Sequence, residues 1–145
     1  MPWLGPLTVA GVAVLAILIW YFMRTRRQDM LADITLRRKQ SSKLVARAQY
    51  VEGLESIPVV LSLTEDTFYY ENPDLNALFE LNRIDEVEYD DEFATGRAVP
   101  AGCRALRLRC HGAMFEFLLS NADVPQWMAA LPPRTAGQPA TRAAS

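Results

Sequence analysis

Lysine is almost missing from this sequence of 145 residues: Lys39 and Lys43 are the only two, and none follows them. Histidine occurs once, as His111, and the two cysteines, Cys103 and Cys110, have no CxxC around them. That inventory excludes a disulfide framework and a zinc site built from Cys and His, and both thiols are expected to be reduced. GxSxG, a glycine-rich phosphate loop and the EF-hand spacing with its glycine are also missing, so no nucleophile elbow, nucleotide cradle or calcium loop is written into the chain. Ser41, Ser42 and Ser62 have no histidine placed near them by any motif, and His111 beside Gly112 reads as an exposed turn residue. The expectation is a protein without catalytic residues, metal or cofactor.

Charge is present but unevenly distributed. Residues 24–43 carry seven basic side chains (Arg24, Arg26, Arg27, Arg37, Arg38, Lys39, Lys43) against Asp29 and Asp33, a balance of +5. Residues 44–132 carry six arginines against fifteen carboxylates, a balance of −9. Nucleic-acid binding relies on clustered Lys and Arg releasing counterions from phosphates, so an acidic domain without lysine is not expected to bind nucleic acid.

Residues 3–23 contain no charged side chain, and 21 residues at about 1.5 Å each reach roughly 31 Å, the hydrocarbon thickness of a bilayer. Trp3 at one end and Trp20 with Tyr21 at the other fall where interfacial aromatic belts form. Pro2 and Pro6 sit near the start, where a helix tolerates proline. A cleaved signal peptide puts its positive charge before the apolar stretch. Here Arg24, Arg26 and Arg27 follow it, so the reading is an uncleaved single-pass anchor in the cell membrane, N-terminus out and domain in the cytoplasm. Small residues four apart do not occur in the span, which gives no motif for helix pairing, and it has no ionisable group to serve a transport path. Met30, Leu31 and Ile34 form a weak apolar stripe, predicting that the helix continues through the basic segment as a stalk that holds the domain off the membrane.

After Lys43 the pattern becomes short alternating stretches separated by turn residues, as in antiparallel strands. The expected strands are 49–56, 59–64, 67–71, 77–82 and 84–90, followed by a loop at 93–102 and two more around 106–110 and 115–119. His111-Gly112 between the last two is a two-residue hairpin turn. Val124, Trp127, Met128 and Leu131 then fall at i, i+3, i+4 and i+7, the apolar face of a short helix. Asp123 and Gln126 suggest a capping box, and Pro132-Pro133 a stop. A strand set this short must close or be covered, which predicts a small seven-stranded barrel over residues 44–133, plugged by Trp127, with a disordered tail at 134–145.

The hairpin VVLSLTEDTFYYEN, the strand entry LNRIDEVEY, the closing hairpin ALRLRCHGAMFEFLL and the helix VPQWMAAL together resemble the pleckstrin-homology-like (PH-like) superfold, in particular its bacterial PH-like and GRAM-type domains. The resemblance covers residues 43–133 and rests on strand order and spacing. It implies a mainly β domain with Trp127 at the position of the helix tryptophan. Many members bind phosphoinositides through basic residues on the first two strands, but residues 50–63 have none and carry Glu52 and Glu55. A headgroup is therefore not expected at that site.

Two surfaces remain. The acidic run Asp85, Glu86, Glu88, Asp90, Asp91 and Glu92 is a candidate surface for a basic partner, weighed against a simple solvated strand face. The basic segment 24–43 is a candidate for anionic lipid, since each Lys or Arg near such a leaflet contributes about 1 kcal/mol. Arg107 and Arg109, facing Glu116 across the last hairpin, are expected to form cross-strand ion pairs. The functional expectation is a cytoplasmic protein-binding module on a membrane anchor, a scaffold or subunit of a membrane assembly. An anionic-lipid sensor is the alternative.

Overall fold

A computed structural model describes residues 4–137. Helix α1, Leu4–Lys39, is continuous. Its apolar side chains from Val9 to Met23 are 52–70% exposed. No other described residue buries this stretch, and the helix is long and apolar enough to cross a membrane. Pro2 and Trp3 lie outside the described residues.

Seven antiparallel strands follow: β1 Leu44–Glu52, β2 Glu55–Leu63, β3 Thr67–Asn72, β4 Leu75–Glu80, β5 Ile84–Asp90, β6 Cys103–Cys110 and β7 Ala113–Ser120. They form one curled sheet in the order β4-β3-β2-β1-β7-β6-β5. The first β1 residues pair only with β2, and Gln49, Tyr50 and Val51 also pair with β7. The sheet therefore bends at the middle of β1. This mainly β architecture, with its short C-terminal helix, is compatible with a PH-like barrel. The ladder does not close, because β4 passes to β5 through a single 3-10 turn, Leu81–Arg83, with no pairing between them.

The first hairpin differs from the sequence reading, which ran one strand through residues 49–56. Gly53 sits at φ 61° and turns the chain there, as a two-residue hairpin with a positive φ at its first position requires. The last hairpin forms as expected, with His111 at φ 51° and Gly112 at φ 77°.

The concave face collects the core. Phe68, Phe117, Leu61, Leu106, Leu108, Leu119 and Val87 are essentially inaccessible, and Trp127 sits among them at 0% exposure. Its indole meets the Phe68 ring edge-on at 5.9 Å. Phe68, Tyr70, Phe79, Phe115, Phe117 and Tyr50 continue the aromatic contacts across the interior, each favourable by about 1 kcal/mol beyond burial.

Trp127 is delivered by α2, Val124–Ala130, which buries Val124 and Trp127 and leaves Met128 half-buried, with Leu131 buried just past its end. The expected capping box does not form. Asp123 has helical backbone angles and makes no side-chain cap bond, so packing rather than capping holds this short helix. Its C-terminal end is tied down by Tyr89, whose hydroxyl donates to the Leu131 carbonyl at 2.9 Å.

Burial pushes the Tyr89 phenol well above its ordinary pKa, and it also raises those of Tyr50 and Tyr70. The unfolded chain ionises first, near pH 10.0. This contribution is thus fully present below that pH and is lost as pH rises toward the folded-state values. Melting temperature should fall progressively as pH rises above about 10. Tyr89→Phe should flatten that fall at a cost of about 1 kcal/mol at neutral pH; an unchanged alkaline slope would exclude Tyr89 as its source.

Candidate functional site

The distinctive feature is where α1 meets the sheet. Residues 59–63 of β2 are all buried, although alternating side chains of a strand point to opposite faces. Val59, Leu61 and Leu63 enter the core, whereas Val60 packs under Leu31 and Ile34 of α1, with Val45 beside them. The predicted continuation of the helix is present, but it is no free-standing stalk. Its apolar stripe has a partner.

One turn farther along, Arg38 forms an ion pair with Glu71 of β3 and lies over the Tyr69 ring at 4.1 Å. The two charged side chains are 19% and 5% exposed. The hydrogen bond to Glu71 raises the guanidinium pKa further. Buried carboxylates require such a partner, and this one joins the helix to the sheet.

On the N-terminal side of the clamp, α1 and the outer surface of β1, β2 and β7 flank a groove of about 570 Å³. Arg24 and Arg27 line it from the helix and Arg47 from β1, with Gln28, Gln49 and Ser120 between them. No carboxylate lines it. Arg24 lies over the Trp20 ring at 5.3 Å, and Arg26, outside the groove, over Phe22 at 4.9 Å. Trp20 and Tyr21 are exposed on the helix surface just above, at the expected end of the span.

The acidic run is organised differently from a free docking face. Arg107 is 14% exposed and bridges Glu88 at 2.8 Å, Asp90 at 3.7 Å and the largely buried Glu116 at 3.3 Å. It also donates to the Glu92 carbonyl. Arg109 pairs with Glu86 at 2.8 Å, and Arg104 with Asp91 at 3.1 Å. Four of the six acidic residues thus face arginines of the neighbouring strand; Arg107 also makes the expected pair with Glu116, whereas Arg109 pairs with Glu86 instead. Asp85 and Glu92 form no ion pair among the described residues. Much of the negative charge is balanced within the domain.

The tail departs from the expected disorder at its start. Arg134 exchanges backbone hydrogen bonds with Val87, and its guanidinium donates to the Leu81 and Ile84 carbonyls. The unpaired edge of β5 supplies those groups, and an edge strand captures whatever extended chain lies beside it. Residues 138–145 lie outside the described residues. Cys103 and Cys110 are free thiols, the latter buried and raised in pKa by burial. Among the described residues no group of three His, Cys, Asp or Glu could hold a metal ion.

The sequence reading placed the interfacial residues on α1 and Trp127 in the core, but did not single out Arg47, Glu71 or the role of Arg38. The signal was available in Val59-Val60-Leu61, an unbroken apolar run marking a strand covered on both faces. No protein-family model matches the chain, and no match is found among curated proteins.

Proposed function

We propose that this is a non-enzymatic, single-pass membrane protein that presents a PH-like, GRAM-type module to a protein partner, as a scaffold or subunit of a membrane assembly. The observation that carries the reading is the continuity of α1 from apolar span to clamped domain. A helix fixed at both ends sets the height and facing of the module relative to the bilayer, a property useful to an adaptor. The arginines that follow the span support a cytoplasmic position for the domain, since positive charge is favoured on that side of the cell membrane.

The binding mode is addition of an extended partner segment to β4. This strand has a neighbour on one side only, whereas Arg134 already occupies the β5 edge. Leu78 on β4 is 55% exposed and offers an apolar contact beside the free backbone groups. A photoreactive amino acid at Leu78 of the full chain in native membranes should yield a protein adduct, and one at Met114, on the distant hairpin, should not. Adducts at Leu78 that contain lipid alone would sink this reading.

A further inference from the structure

The groove between α1 and the sheet combines three features that no structural role accounts for. Among the described residues Arg27 and Arg47 make no ion pair, and Arg24 makes none either but lies over the Trp20 ring. All other arginines of the sheet except Arg97 are paired with carboxylates; Arg97 lies over Phe93. The domain carries a large excess of carboxylates, yet none lines this recess; the recess beside it, which shares Arg27, Leu31 and Pro58, has Asp74.

Position is the second feature. Arg24 is the first charged residue after the apolar span, and Arg27 lies about 4.5 Å farther along the axis. The headgroup layer outside the hydrocarbon is roughly 5–7 Å deep on each side, so both guanidinium groups belong to that layer. Shape is the third. A volume of about 570 Å³ is within the range that holds small organic ligands, and Leu31 of the helix with Pro58 and Leu118 of the sheet give it an apolar lining.

We propose that the groove seats the headgroup phosphate of an anionic phospholipid from the leaflet into which Arg24 emerges. Arg27 and Arg47 grip the phosphate from the helix and from β1, since a guanidinium matches phosphate oxygens through paired N–H groups. Arg24 contacts the same anion from above, and Gln28 and Gln49 hydrogen-bond the polar headgroup substituent. The acyl chains run back along the exposed apolar surface of α1. This site is on the outer face of the sheet beside the helix, whereas the turn at Gly53 between β1 and β2 carries Glu52 and Glu55 and repels anions. The seated lipid would complete the contact between helix and domain, whatever protein adds to β4.

The test uses the full-length chain in discs of phosphatidylcholine containing phosphatidylglycerol as the minor component, with retained lipids counted by native mass spectrometry. The wild type should retain phosphatidylglycerol selectively. Arg27→Gln with Arg47→Gln should lower that retention at least about tenfold. Arg26→Gln with Lys39→Gln removes the same charge outside the groove and should change it less than about twofold. An unchanged melting temperature establishes that each variant is folded. Equal losses in the two pairs, or retention by the groove pair within twofold of wild type, would overturn the proposal. Inorganic phosphate at millimolar concentration should not displace the lipid, and displacement would overturn the assignment to a membrane source.

Discussion

Trp127→Ala is expected to destabilise the domain by about 3–5 kcal/mol, which is most of the 5–15 kcal/mol available to a domain of this size. The indole is fully buried and meets Phe68 within a core contributed by strands from both halves of the sheet. The open side between β4 and β5 makes the loss severe, because no strand pairing bridges that gap. Trp127→Phe separates packing from hydrogen bonding. The indole nitrogen has no partner in the fold, so phenylalanine forfeits volume alone and should cost only about 1–2 kcal/mol. Denaturant melts of the full chain in detergent, followed by near-ultraviolet circular dichroism, would measure both. An alanine variant as stable as the phenylalanine one would mean that α2 is peripheral.

The residues that were legible in the sequence are those whose partners lie within a repeating local pattern. Trp127 and its neighbours repeat at helical spacing, and the apolar residues of β6 and β7 alternate about a His-Gly turn, so the helix and the hairpin could be placed before any tertiary contact was known. Arg107 and Glu116 also face each other across that hairpin. Gly53 is the exception: the core-facing positions change phase across it, from Ala46 and Ala48 to Val59 and Leu61, but the short polar stretch around the turn has too few apolar residues to display the change. What could not be read was pairing at long separation. Arg38 and Glu71 are 33 residues apart, and neither belongs to a motif that points to the other. The basic segment therefore looked uniform, although Arg38 is consumed by the fold and Arg24 and Arg27 are not. The acidic run misleads in the opposite direction, since β6 supplies its counter-charges from beyond the 93–102 loop.

Arg38→Ala is expected to release the C-terminal end of α1 from the sheet at a cost of about 3 kcal/mol. Breaking a buried pair leaves the surviving charge without its counter-ion, and Glu71 has little access to water here. The variant also loses the stacking of the guanidinium on Tyr69, a further favourable contact. Because the sheet has its own core, the loss should appear as local opening rather than global unfolding. Amide exchange in residues 31–39 should accelerate on the order of a hundredfold, while the central strands change much less. Replacing both partners, Arg38→Met with Glu71→Met, should restore much of the protection, because an apolar pair at a buried site is often as stable as the ion pair it replaces. Two results would count against the clamp: wild-type exchange in the single variant, or a double variant as open as the single one. Protection restored by two methionines would show that the helix needs contact at this position and that charge is one of two ways to supply it.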